Sequence, residues 1–146
     1  MGLLEQLKSG IITRSPEETE ALGAELAQAL PPDSALALSG DLGTGKTTLV
    51  RGIARGLGIG CAVTSPTYNI CSIYQGDRQL LHMDAYRLHD AHELDALTIG
   101  EFLRSPFLIA VEWPGHVSCF LEDYPTCRLE LSLLKDHSHR FRLVEK

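Results

Sequence analysis

The sequence has none of the features that mark membrane, exported or disulfide-bonded proteins. No apolar run reaches the about 20 residues that a membrane-spanning helix needs. Glu5 and Lys8 interrupt the N-terminal segment where a signal peptide would need a continuous apolar core. The four cysteines show no Cys-x-x-Cys spacing and no paired framework, which favours free thiols in a reducing compartment over disulfides or a metal site. We therefore expect a cytoplasmic protein.

Positive charge is also scarce. The chain has 13 Lys and Arg against 19 Asp and Glu, which gives a net charge of −6. This balance disfavours a broad nonspecific nucleic-acid surface, because many basic side chains are needed to neutralise phosphates. A local basic patch, or contact with RNA through a partner, stays open. The length is that of one ordinary domain, so we expect a single domain over residues 1–146, with residues 1–10 as a loosely held lead-in.

The most informative stretch is residues 40–47, Gly-Asp-Leu-Gly-Thr-Gly-Lys-Thr, which fits the phosphate-binding loop pattern. Its glycines let the backbone turn through positive φ, so that the amide N–H groups can form an anion-binding nest. Lys46 would reach the β- and γ-phosphates, and the Thr47 hydroxyl would hold Mg²⁺. A short buried strand over residues 35–39 and a helix over residues 48–57 supply the flanks that this motif requires.

The first predicted helix begins with a strong start signal. Ser15 can cap it, Glu18 can complete a capping box, and Pro16 occupies the first helical position. The helix is predicted to run to about Leu30, with an inward face made of Leu22, Leu26, Ala29 and Leu30.

The remaining pattern predicts strands. Residues 11–14 suit a short edge strand, and residues 107–111 form a continuous apolar run, as expected for a strand buried on both faces. Two antiparallel pairs are predicted, one over residues 70–74 and 78–84 and one over residues 127–133 and 140–144. The fold class we expect is α/β, a P-loop NTPase-like mixed sheet flanked by helices and carrying antiparallel strands.

A P-loop enzyme also needs an acid at the end of a hydrophobic strand. Glu112 follows five apolar residues and is assigned to Mg²⁺, while Asp84 is assigned to orienting the attacking water or to a second metal contact. Both would lie at the carboxyl ends of strands, where open α/β sheets bind ligands. The alternative for Glu112 is a solvated loop acid. For Asp84, a turn residue that caps its own backbone is equally supported by the residues alone.

Other residues carry weaker signals. Residues 65–68, Ser-Pro-Thr-Tyr, lie where many P-loop proteins have a first switch segment, and Thr67 would sense the γ-phosphate there. Spacing alone favours an ordinary proline turn. Trp113 by itself is more typical of packing. The six histidines show no helical metal-ligand spacing: His82, His89, His92, His116, His137 and His139.

Four segments together resemble one family. They are residues 40–48, residues 65–68, the His-Met-Asp-Ala-Tyr-Arg-Leu run at 82–88, and Val-Glu-Trp-Pro at 111–114. Their order and spacing are similar to those of the bacterial TsaE (YjeE) family of small P-loop ATPases. The resemblance implies a role in making threonylcarbamoyladenosine at position 37 of tRNAs. It implies an ATPase that is weak alone and works with TsaB and TsaD homologues, which would hold the tRNA.

The resemblance also implies roles for individual residues. Thr47 and Glu112 would bind Mg²⁺; Asp84, Lys46 and Thr67 would act in hydrolysis. Tyr86, Arg87 and Trp113 become functional candidates. The nucleotide would be bound by Asp41, Leu42, Gly43, Thr44, Gly45, Lys46, Thr47 and Thr48, and its adenine by Pro16, His139 and Arg140. The chain departs from the usual pattern at Thr44, where Ala is usual, at Ala85, where a larger apolar residue is common, and in a short tail after Lys135.

Two rival functions remain open at this stage. A small-molecule or nucleoside kinase would normally carry an Arg-rich lid and an acceptor pocket in a longer chain. A nonhydrolysing nucleotide-dependent scaffold would bind ATP without turning it over. The Asp84→Ala change separates hydrolysis from scaffolding.

Overall fold

A computed structural model describes residues 2–41, 43–60, 63, 71–84, 102–112 and 121–144. In chain order the elements are α1 (Leu3–Ser9), β1 (Ile11–Thr13), α2 (Pro16–Ala29), β2 (Ser34–Ser39), α3 (Lys46–Gly56), β3 (Cys71–Tyr74), β4 (Gln79–Asp84), β5 (Phe107–Glu112), β6 (Thr126–Leu133) and β7 (His139–Val144). None of the helices in these ranges has both the length and the apolar character needed to cross a membrane.

The strands form one seven-stranded sheet in the order β1-β7-β6-β2-β5-β4-β3. The four inner strands β6, β2, β5 and β4 are parallel to one another, whereas the pairs β6–β7, β7–β1 and β4–β3 are antiparallel. The predicted α/β class, the mixed sheet and both antiparallel pairs are therefore confirmed. Strand β2 lies between β5 and β6, so the loop that follows it opens at the middle of the sheet.

Alternate residues of the inner strands fill two separate cores. One set packs beneath α2 and α3 and includes Leu36, Leu38, Leu80 and Leu108, while the other set packs on the opposite face around Leu121. Every residue of β5 is buried, as its continuous apolar run predicts. The parallel strands are thus covered on both sides, and their carboxyl ends all point to the same edge.

Two details differ from the prediction. The segment expected to be a loose lead-in forms α1, whose Leu7 is fully buried in the core cluster that contains Phe141. Leu3 and Leu7 are four residues apart, and the charged residues Glu5 and Lys8 lie between and after them. This spacing is typical of a short amphipathic helix. In α2 the residue Ala29 is exposed, whereas Ala27 is buried, because the apolar stripe turns with the helix.

Helices α2 and α3 touch through their backbones. A Cβ atom added at Gly52 would lie 2.1 Å from the carbonyl oxygen of Glu20, and one added at Gly23 would lie 2.3 Å from that of Leu49. Only glycine permits such an approach. The contact fixes α3, and with it Lys46 at the start of that helix, against α2.

The start of α2 allows a first test. The Glu18 amide donates to Ser15 Oγ at 3.1 Å, and the Glu18 carboxylate accepts from the Arg14 amide at 2.7 Å, one residue earlier than in a standard capping box. We expect Ser15→Ala to lower the free energy of unfolding by about 1 kcal/mol, or the melting temperature by about 2–4 °C. Thermal unfolding measures this, with Ser9→Ala in α1 as the control. Equal melting temperatures for the two variants would mean that the cap contributes nothing.

Candidate functional site

The loop between β2 and α3 has the backbone that its glycines predict. Gly43 and Gly45 have φ values of 81° and 99°, in the left-handed region that favours glycine. The Thr44 hydroxyl donates to the Asp41 carbonyl at 2.8 Å and closes the turn. Gly45 then caps α3, so the free amides at the start of that helix lie beside the loop. A loop of this kind presents N–H groups to an anion.

A pocket of about 420 Å³ opens beside this loop. Its volume falls within the about 300–1,000 Å³ of typical small-ligand sites. It lies at the carboxyl ends of the parallel strands, the position expected for ligands in open α/β sheets. Its lining residues come from α2, the loop, α3 and strands β4, β5 and β7: Pro16, Thr19, Gly43, Gly45, Lys46, Thr47, Thr48, Asp84, Glu112 and His139.

Lys46 supplies the positive charge of the pocket. Its side chain is 5% exposed, and Nζ donates to the Gly40 carbonyl at 2.6 Å. Burial lowers the pKa of Lys46, while the negative charges of Glu112, Asp84 and Asp41 oppose that fall. The buried ammonium group of Lys46 is suited to binding a ligand with several negative charges.

The two predicted acids are neighbours. Asp84 and Glu112 are direct register partners at the ends of parallel β4 and β5, and both line the pocket. Glu112 is 4% exposed, which is incompatible with the alternative of a solvated loop acid. Asp84 ends β4 and is partly exposed. The strands therefore bring together two carboxylates that are far apart in the sequence.

Sequence reasoning missed the partner of Glu112. His82 is fully buried, and its Nε2 lies 2.7 Å from Oε2 of Glu112. The histidines were compared only with helical metal-ligand spacing, and that comparison assigned no role to His82. The available signal was its position two residues before Asp84, which places both side chains on the same face of β4. That face is the one beneath α3.

Strand β7 completes the pocket on its other side. His139 Nδ1 lies 2.8 Å from the Thr44 carbonyl oxygen, which can only accept, so Nδ1 carries the hydrogen. Beside it, the hydroxyls of Thr13 and Thr19 share a buried hydrogen bond of 2.6 Å. Arg140, the next residue along β7, does not line the pocket, and its guanidinium lies against Gly10 instead.

The structure thus gathers most of the predicted site residues. Asp41 and Thr44 shape the loop without lining the pocket, and Arg140 lies apart from it. Leu42 and Thr67 lie outside the described residues, as do Tyr86, Arg87 and Trp113. The roles assigned to all of these residues remain predictions.

Comparison with known proteins places this architecture in a family. Residues 13–142 match the family model described as threonylcarbamoyl adenosine biosynthesis protein TsaE. The protein called tRNA threonylcarbamoyladenosine biosynthesis protein TsaE from Bacillus subtilis is 40% identical over 120 residues, covering 82% of this chain and 73% of that protein. The protein of the same name from Aquifex aeolicus is 34% identical over 145 residues, covering 97% of this chain and 99% of that protein.

A solved structure agrees with the sequence matches. The crystal structure of YdiB from Bacillus subtilis superposes with a TM-score of 0.69 at 30% identity, covering 92% of this chain and 82% of that one. The family match spans the loop, both acids and His139. The chain therefore belongs to the TsaE family of tRNA threonylcarbamoyladenosine biosynthesis proteins.

Proposed function

We propose that this chain binds ATP with Mg²⁺ and hydrolyses it slowly when alone, in support of threonylcarbamoyladenosine formation at adenosine 37 of tRNA. The observation that carries the proposal is the pairing of Asp84 and Glu112 opposite Lys46 in one pocket beside the phosphate-binding loop. A site that only bound phosphate would need the loop and the lysine. Two strand-end carboxylates beside them add the groups that metal binding and water activation require.

The pocket fits a nucleoside triphosphate. The left-handed glycines, the start of α3 and Lys46 form the end that would hold phosphates. Pro16, Thr19 and His139 also line the pocket and would lie near the base or the sugar. The pocket thus combines a charged phosphate-binding part with residues from α2 and β7 that could contact the rest of a nucleotide.

The donor set also fits Mg²⁺, which prefers oxygen ligands and retains waters. The Thr47 hydroxyl and the Glu112 carboxylate would hold the ion, which would neutralise phosphate charge when bound. Asp84, in register with Glu112, would orient the attacking water and accept its proton. Lys46 would contact the phosphates and stabilise negative charge that develops on them.

The kinase alternative finds less support. Within the described ranges, Lys46 is the one lysine that lines the pocket, and no arginine lines it. Arg51 donates to the Val63 carbonyl, and Arg55, in the last turn of α3, lies 4.0 Å from Glu20 of α2. Neither is placed to act as part of a lid over transferred phosphate.

The proposed partners are TsaB and TsaD homologues, which would bind the tRNA. A chain with a net charge of −6 has few basic groups for holding RNA by itself. ATP hydrolysis would then act on the assembly, and the partners would carry out the chemistry on the base. This division explains why the pocket need hold only a nucleotide.

The test is ATP hydrolysis by the purified chain, alone and with the TsaB and TsaD homologues and unmodified tRNA. We expect stimulation by the partners. We expect Asp84→Ala to lower hydrolysis by about 100-fold or more, the usual effect of losing a general base, while binding of a fluorescent ATP analogue persists. Asp123→Ala, which removes an exposed carboxylate away from the pocket, is the control.

Two results would contradict the proposal. Hydrolysis that does not depend on Asp84, with assembly intact, would favour the scaffold. Transfer of the γ-phosphate to a nucleoside, with ADP release depending on it, would favour the kinase.

A further inference from the structure

We infer that His82 is a positioning residue for the magnesium site. Its Nε2–H holds Oε2 of Glu112 and leaves Oε1 of the same carboxylate for the metal ion. The inference rests on the proposed function, because it takes Glu112 as the ligand of a nucleotide-bound Mg²⁺. It adds a residue that neither the phosphate-binding loop nor the two acids account for.

The sheet explains how the two side chains meet. His82 pairs with Ala110 across parallel β4 and β5, and Glu112 lies two residues further along β5 on the same face. The small Ala110 side chain leaves room for the imidazole to reach Glu112 along the strand. The 2.7 Å contact is therefore a diagonal cross-strand hydrogen bond set by the register.

The chemistry fixes the direction of this bond. A carboxylate that ligates Mg²⁺ is ionised and can only accept, so in the proposed site the hydrogen lies on Nε2 of His82. Nδ1 is buried and has no hydrogen-bond partner in the part of the chain that the structure describes. Among the described residues, the polar contact that holds the imidazole is the one to Glu112.

A purely structural residue at this position would be different. Gln79, also buried in β4, uses its amide to bind the Phe102 carbonyl and the Arg104 amide, and so ties down backbone. Among the residues that the structure describes, His82 binds no backbone group and its Nδ1 has no partner, which is unfavourable in a core. An apolar side chain would fill the space at lower cost, so the gain from histidine is its hold on Glu112.

His82 acts through Glu112 and not on the nucleotide itself. It is fully buried and does not line the pocket, whereas Glu112 does. Such a residue selects one orientation of a ligating carboxylate. Hydrogen-bonding partners of this kind typically change metal affinity by about 10–100-fold when they are removed.

The experiment measures Mn²⁺ affinity in the presence of ADP, by electron paramagnetic resonance of the free ion. We expect His82→Leu and His82→Asn to weaken Mn²⁺ binding by about tenfold or more. His82→Gln, whose amide nitrogen can replace Nε2, is expected to stay within about threefold of the parent chain, since its donor is kept. ADP affinity without metal should be unchanged in all three variants.

Two controls separate positioning from packing. Met83→Ala removes a fully buried side chain from the same strand on the opposite face, and we expect it to lower stability without changing Mn²⁺ affinity. In a Glu112→Ala background, His82→Leu should cause no further loss of Mn²⁺ affinity, because its effect passes through that carboxylate.

The inference is overturned if His82→Leu binds Mn²⁺ as the parent chain does, or if His82→Gln is as impaired as His82→Leu. It is also overturned if His82→Leu weakens Mn²⁺ binding equally with and without Glu112. Absence of ATP hydrolysis would remove the proposed function, while the Mn²⁺ affinities would still decide the role of His82.

Discussion

Lys46→Met is expected to lower ATP hydrolysis by about 100-fold or more, the usual effect of losing a group that stabilises charge in the transition state. Methionine keeps the length and the apolar stem of lysine, so the change removes little but the ammonium group. Lys46 is 5% exposed, and its ammonium group faces Glu112 and Asp84 and donates to the Gly40 carbonyl. A bound triphosphate would lose the ammonium group that lines the pocket beside the phosphate-binding loop.

The measurement is steady-state hydrolysis together with ATP affinity. Lys135→Met, which removes an exposed lysine from the β6–β7 turn, is the matched control and should behave like the parent chain. We expect Lys46→Met to lower the melting temperature as well, because Glu112 stays buried after its neighbouring positive charge is removed. Hydrolysis is therefore measured well below the melting temperature of the variant. Full hydrolysis by Lys46→Met would show that the phosphates lie elsewhere.

Gly52→Ala is expected to lower the free energy of unfolding by about 3 kcal/mol or more, at the upper end of overpacking effects. The new Cβ would lie 2.1 Å from the Glu20 carbonyl oxygen and 2.6 Å from the Glu20 Cα, and backbone atoms cannot rotate away. Helices α2 and α3 would have to separate. The about 1 kcal/mol that alanine gains in helix propensity offsets only part of this cost.

Chemical denaturation of a glycine-to-alanine series tests this expectation. The distance from an added Cβ to its nearest neighbour is 2.1 Å at Gly52, 2.3 Å at Gly23 and 2.8 Å at Gly56. At Gly60, no described residue other than its chain neighbours has an atom within 4 Å of the added Cβ. The loss of stability should follow that order, with Gly60→Ala as the matched control. Similar stabilities for Gly52→Ala and Gly60→Ala would show that the two helices separate without cost.

The sequence predicted individual helices and strands better than it predicted the contacts between them. The loop, the β5 run and the two antiparallel pairs depend on local patterns, and the structure confirms them. The sequence did not predict α1, because two leucines one turn apart are weak evidence for a helix. The burial of Leu7, which favours the helix, depends on the rest of the fold. Its stability comes from packing against residues near the other end of the chain.

The site shows the same limit. Asp84 and Glu112 were both placed at strand ends from the sequence, but their direct pairing needs the parallel register of β4 and β5. The bond from His82 to Glu112 depends on that register to within one residue, since a slip of one position would turn His82 to the opposite face. A single sequence does not contain that information in any local pattern.

The sheet order also constrains how the protein is made. The earliest strand in the sequence, β1, pairs with β7, the last one. Central β2 is flanked by strands that leave the ribosome long after it, and His139, which holds the phosphate-binding loop through Thr44, comes later still. The two strands that pair with β2 are therefore absent until late in synthesis, and the sheet forms through contacts that are distant in sequence. The nucleotide pocket is completed only when the final strand has joined the sheet.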